Sequence, residues 1–165
     1  MKILKKRFIK IINIIICALI IISLFSSISV FALTPSRVSS TELRNQIATN
    51  WIYKKRGYIE CNCLGWVLGR ENMWIWPWGK NNPTVAELTN FLKIYGYKYS
   101  GNYVLSAKIY AFGTSTQVTH VARGLGVGPL KIPMDAKWGQ YEVFNHRNTD
   151  PYTRYSYGPR VATYS

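Results

Sequence analysis

Acidic side chains are what this sequence most lacks: seven Asp and Glu face 21 Lys and Arg in 165 residues, for a formal net charge of +14. Such a chain is drawn to anionic surfaces, which outside a cell include bacterial wall polymers, anionic lipid and free nucleic acid. The basic residues are scattered, however, and their one run, Lys54 to Arg56, has the ordinary composition of a solvated helix end. With no basic cluster and no recognisable binding module, a nucleic-acid partner is not expected. Internal repeats and low-complexity tracts are also absent. Histidine is limited to His120 and His146, and cysteine to Cys17, Cys61 and Cys63. Chemistry that needs a thiol or an imidazole therefore has very few places to occur.

What the chain does have, at its start, is a cationic and then apolar leader. Lys2, Lys5, Lys6, Arg7 and Lys10 precede an apolar run over 11–25 that only Asn13 and Ser23 interrupt. Val30 and Ala32 stand at the small-residue positions a signal peptidase reads, and Pro35 follows. The pattern predicts a secretory signal peptide over 1–32. The alternative is an uncleaved anchor, but the run is short against the roughly 20 residues a bilayer span needs. A secreted, extracellular domain over 33–165 is expected, with no integral membrane association once the leader is removed. About 133 residues remain, carrying about +9 and enough chain for one domain with a real core. Cys17 lies inside the leader and is a bystander.

Ser39 with Glu42 forms a capping-box pair, and Leu43, Ile47 and Trp51 follow at helical spacing, predicting a helix over 40–54 that Gly57 closes. The aromatic stretch Trp74 to Gly79 contains Pro77 and forms no long regular element. Thr84 with Glu87 repeats the capping signature, and Val85, Leu88, Phe91, Leu92 and Tyr95 continue a helical face until Gly96. After residue 100, short runs rich in Val, Ile, Tyr and Phe over 103–113, 117–124 and 140–146 read as antiparallel strands. Helices first and strands afterwards predict an α+β domain, with N-terminal helices packed on an antiparallel sheet.

Cys61 and Cys63 flank one residue, and a disulfide between them would close a ring too small for the torsion such a bond prefers. If 63–68 begins a helix, Asn62 stands at its N-cap and Cys63 on its first residue. There the unpaired N–H groups favour a thiolate and are expected to lower the thiol pKa. A base for that thiol must be one of two histidines, and both lie at the ends of predicted strands.

The segment NCLGWVLG resembles the one in which NlpC-type cell-wall amidases, of the papain-like cysteine hydrolase superfamily, carry their nucleophile. His120 with Val121 and Ala122 is similar to that family's base motif, and His146 to the residue that orients it. The wider set NCLGWVLG, WIWPW, THVAR and KWGQYEVFNH followed by YG resembles a family of bacterial secreted or effector domains within the same superfamily. The resemblance spans most of 58–158. It implies a papain-like, NlpC-like fold and a secreted bacterial cysteine hydrolase or acyltransferase acting on amide bonds, with peptidoglycan or another anionic cell-surface polymer as partner. In the implied mechanism Cys63 attacks, His120 takes the proton, His146 orients His120, and a thioester forms; no metal and no cofactor is required. The oxyanion would lie near the helix start that Asn62 caps, with Tyr58 offering a phenolic hydrogen bond. Leu64 departs from the Ser usual after the nucleophile, and the interval between the histidines exceeds the family's short hairpin, so 124–139 is expected as an extended loop. Asn145 and Gln140 remain alternatives to His146.

Two other readings use the same residues. Cys61, Cys63, His120 and His146 make a Cys2His2 set for zinc, although paired ligands are more often separated by two residues. A non-catalytic binding module would use Trp74, Trp76 and Trp78, with the Tyr-rich tail, as an aromatic surface for glycan or protein; as part of an enzyme the same tryptophans would line the substrate site.

Overall fold

In the computed structural model, residues 37–126, 134–147 and 150–165 are described, and the signal peptide expected over 1–32 lies outside them. The chain runs α1 (Thr41–Ile47), β1 (Ile52–Lys55), α2 (Cys63–Val67), α3 (Val85–Ile94), β2 (Tyr99–Gly101), β3 (Ile109–Thr114), β4 (Gln117–Gly124), β5 (Met134–Lys137), β6 (Val143–His146) and β7 (Arg160–Tyr164). All seven strands join one antiparallel sheet in the order β1-β6-β5-β4-β3-β7-β2. None of the described helices is long and apolar enough to cross a membrane.

This architecture corrects the α+β, papain-like and NlpC-like expectation of N-terminal helices on a sheet. Among the described residues the sheet dominates, and the helices span only seven, five and ten residues. Three segments account for the difference. The helix expected over 40–54 ends at Ile47, because Ala48 turns extended and residues 52–55 pair with β6 as an edge strand. Lys54 and Lys55 on that exposed edge discourage pairing with another chain. The expected loop over 124–139 contains β5, which stands between the two histidine strands. The Tyr-rich tail supplies β7, which is interior to the sheet between β3 and β2.

Local signals hold where capping decides them. Thr84 accepts from the Glu87 amide while the Glu87 carboxylate accepts from the Thr84 amide, so α3 begins with a complete capping box. At α1 the cap is Ser40, bonded to the Leu43 amide. Ser39, expected in that place, instead donates from its amide and hydroxyl to Glu142. Arg44 completes that buried acid's shell and ties the N-terminal segment to the turn before β6.

Alternation along the strands gives the sheet two faces. Ile109, Ala111, Val121, Ala162 and Tyr164 pack against Leu64 and Val67 of α2 and Leu88 and Leu92 of α3. Tyr110, Phe112, Ala122, Ala136 and Phe144 form the other face with Trp138, Ala48 and Tyr152. The ladder between β4 and β5 is short, Arg123 with Asp135 and Gly124 with Met134. Over 117–122, β4 has no strand partner on that side among the described residues, and α2 packs against both strands.

Candidate active site

Cys63 is the first residue of α2, and Asn62 caps it as the sequence predicts. Asn62 Oδ1 accepts from the Gly65 amide at 2.9 Å and from the Ile75 amide at 3.2 Å, while Nδ2 donates to the Ile75 carbonyl at 2.8 Å. One buried amide therefore starts the helix and also ties the tryptophan segment to it. Gly65 makes that docking possible: a Cβ there would lie 2.1 Å from the Met73 carbonyl oxygen and 3.3 Å from Cys61 Sγ. Trp66, one residue on, donates its indole N–H to Asp135 on β5 at 2.8 Å.

Asn62, Cys63, Trp74, Trp76, Thr119 and His120 line one open pocket of about 230 Å³, to which Tyr157 and Asn82 also contribute. The thiol belongs to the core on the helix side of the sheet. His120 stands opposite Phe112 and packs among Phe112, Tyr152 and Tyr157 on the other side. They line the same pocket because β4 and β5 part company between them.

Burial sets the charge of both groups. It pushes the Cys63 thiol up to about 11, outweighing the backbone amides of Val121, Leu64 and Cys63 itself, which favour the thiolate. The expected lowering by the helix start is therefore corrected: Cys63 is 6% exposed, and desolvation exceeds what a five-residue helix supplies. Burial also holds the His120 imidazole well below the ordinary histidine range, with His146 adding a smaller push in the same direction. The resting pair is a neutral thiol and a neutral imidazole. His120 Nε2 is buried and has no hydrogen-bond partner among the described residues.

His146 is engaged elsewhere. Its Nδ1 bonds the Asn50 carbonyl at 2.8 Å, and its Nε2 accepts from the Trp138 indole at 3.3 Å. Tyr152 packs edge-on against both imidazoles, 4.9 Å from His120 and 5.0 Å from His146 between ring centroids. With both nitrogens occupied, His146 has none left to orient His120. Burial pushes its pKa down to about 4, against the bond to Asn50 and the field of Asp135. Neither alternative third member lines the pocket: Asn145 pairs with Ile52 on β1, and Gln140 lies in the turn before β6.

Cys61 is a fully buried free thiol whose Sγ lies 3.3 Å from the Asn62 carbonyl and 3.7 Å from that of Arg70. It packs with Trp66 and Val143 and does not line the pocket. Tyr58 packs against that cluster, with Lys137 Nζ 4.4 Å from its ring centroid, and is likewise away from the pocket. Trp78 packs edge-on to Trp76 and Phe91, while Trp74 stays half-exposed at the pocket. Among the described residues no group of three or more His, Cys, Asp and Glu side chains could hold a metal ion. The Cys2His2 alternative fails on this geometry, since Cys61 and His146 are committed to other partners.

Five further residues line the pocket that the sequence does not single out as site residues: Gly79, Asn82, Thr119, Gly139 and Tyr157. Thr119 was within reach as the neighbour of His120. Tyr157 is one of 12 tyrosines, and nothing local to it marks it out.

A family model described as a domain of unknown function, DUF7689, matches residues 49–165. That match includes every pocket residue named above. No curated protein and no solved structure matches the chain.

Proposed function

The chain belongs to the DUF7689 family, and we propose that it is a secreted cysteine hydrolase or acyltransferase acting on amide bonds, with Cys63 as nucleophile and His120 as base. The observation that carries this reading is that Cys63 and His120 line one open pocket, and that His120 Nε2 has no hydrogen-bond partner among the described residues.

The chemistry follows from the neutral resting pair. As the sulfur bonds to a substrate carbonyl carbon, the thiol proton passes to His120, which is a free base because burial keeps it unprotonated. Charge developing on the carbonyl oxygen is met by backbone N–H groups beside the sulfur, that of Cys63 foremost. Collapse breaks the carbon–nitrogen bond, His120 returns the proton to the departing amine, and a thioester remains. Water then attacks the thioester, giving up a proton to His120; the acid departs and the thiol is restored. An amine in place of water makes the same site a transferase.

Wall peptide is the substrate class this reading favours. Its support is the cationic, apolar leader and the strong excess of basic residues, which suit an exported protein meeting an anionic polymer. The half-exposed Trp74 at the pocket gives such a substrate an apolar surface to rest on. Incubating the protein and its Cys63→Ala form with purified peptidoglycan, and measuring released amine, tests the proposal. Release by the wild type alone supports it; equal signals from both remove the catalytic claim for that substrate. Retained binding of peptidoglycan without release would favour the binding module, with Trp74 and Trp76 as its surface.

A further inference from the structure

We infer that the aromatic ring of Tyr157 is the positioning element for His120, the part a third polar side chain plays in a cysteine triad. The inference rests on the acyl-transfer reading above. The two rings lie parallel, with centroids 3.9 Å apart and 9° between their planes. Among the described residues no other ring stacks on His120 in this way, since Phe112 is tilted at 6.3 Å and Tyr152 meets it edge-on.

The segment carrying Tyr157 is clamped to the two strands beneath it. The Thr119 hydroxyl lies 2.7 Å from the Tyr157 carbonyl as its donor, and Thr119 immediately precedes His120 on β4. The Gly113 amide donates to the Pro159 carbonyl at 2.9 Å. Gly158 sits at φ +79° with the position of its absent Cβ 3.3 Å from Gly113 Cα, so a larger residue there is strained and crowded. These ties hold the phenol ring against the imidazole from the strand that carries it.

A stacked ring does something a carboxylate or amide does not. It restrains the plane of the imidazole while leaving both nitrogens available, which accords with the unpartnered Nε2. The groups facing His120 are Phe112 on β3, Tyr152 and Tyr157 from the C-terminal segment, His146 on β6 beyond Tyr152, and Cys63 across the pocket. Each is uncharged at neutral pH. The ring also keeps water from the imidazole, which sustains its neutral, proton-accepting form.

The test compares Tyr157→Phe, Tyr157→Leu and Tyr157→Ala in the intact protein by two readouts. One is the NMR titration of His120, with His146 as internal control; the other is the rate at which iodoacetamide alkylates Cys63. Phe keeps the ring and is expected to match the wild type in both. Leu fills space without a stacking plane, and Ala admits water; in each, the His120 titration rises toward that of free imidazole. Alkylation slows by about tenfold or more in both, the scale of a misplaced catalytic group. Should Ala not fold, Leu carries the comparison. Unchanged titration and rate in folded Tyr157→Leu would overturn the inference, as would Phe behaving like Leu, which would move the role to the hydroxyl. If wild-type Cys63 reacts no faster than Cys61, the acyl-transfer reading fails, while the titration still decides whether Tyr157 governs His120.

Discussion

Trp66 on α2 and Asp135 on β5 are joined by an indole N–H donating to a carboxylate oxygen at 2.8 Å. Asp135 is paired with Arg123 at the end of the β4–β5 ladder, so the helix carrying Cys63 is anchored at the edge of the opening. Asp135 is fully buried and also accepts from Arg123 at 3.0 Å through both oxygens, and from Lys54. Burial alone would raise its pKa, but the bonds from Arg123, Lys54 and Trp66 more than offset this and hold the carboxyl below its usual range.

Trp66→Phe is expected to lose one buried hydrogen bond and cost about 1–2 kcal/mol in urea unfolding. Asp135→Ala strips an acceptor from three donors and is expected to cost about 3 kcal/mol, the low end of the range for a wholly buried pair because Arg123 and Lys54 are about one-third exposed. Equal losses would mean that Asp135 matters only through Trp66.

The connection between the helix start and the tryptophans rests on Asn62 and Gly65. Asn62→Ala removes a cap and both ties to Ile75, with an expected cost of about 2–3 kcal/mol by thermal or urea unfolding. Gly65→Ala drives a methyl group into the Met73 carbonyl and is expected to displace the segment that carries Trp74 and Trp76. Trp fluorescence should report that displacement; an unchanged spectrum and stability would show that the close approach is not required.

Acid should destabilise the fold before most carboxylates titrate. Both histidines have lower pKa values folded than unfolded, so the unfolded chain binds more protons as pH falls. Their stability contribution is complete above about pH 6.5 and is lost as pH falls toward the His146 value of about 4. For His146 alone the loss is on the order of 3 kcal/mol. Melting temperature measured from pH 7 to pH 4 should fall steadily through this window; a flat profile down to pH 4.5 would contradict the buried, neutral state of both imidazoles.

Legibility in the sequence followed the range of the forces involved. The caps at Asn62 and Thr84 are readable because a cap and the first-turn amide it accepts from lie three residues apart. The strands of His120 and His146 were readable from their β-branched and aromatic runs. β1 was not, because Ile52 to Lys55 carries no burial pattern and is a strand only through pairing with β6. β5 was hidden inside a Gly- and Pro-containing stretch. His146 was a plausible third member by order along the chain, but its partners, Asn50 and Trp138, are set by tertiary packing. Tyr157 is brought to His120 from 37 positions away by the same kind of long-range clamp, which no local pattern announces.

The most direct measurement is the pH dependence of iodoacetamide alkylation at Cys63, with Cys61 as internal reference, in wild type and His120→Ala. A neutral thiol served by a neutral imidazole should react faster than Cys61 and gain rate toward the thiol's own value of about 11, with no plateau in the acid range. Removing His120 should slow it by about tenfold or more at pH 7. A rate at Cys63 no greater than at Cys61, or one that His120→Ala leaves untouched, would show that thiol and imidazole do not act together.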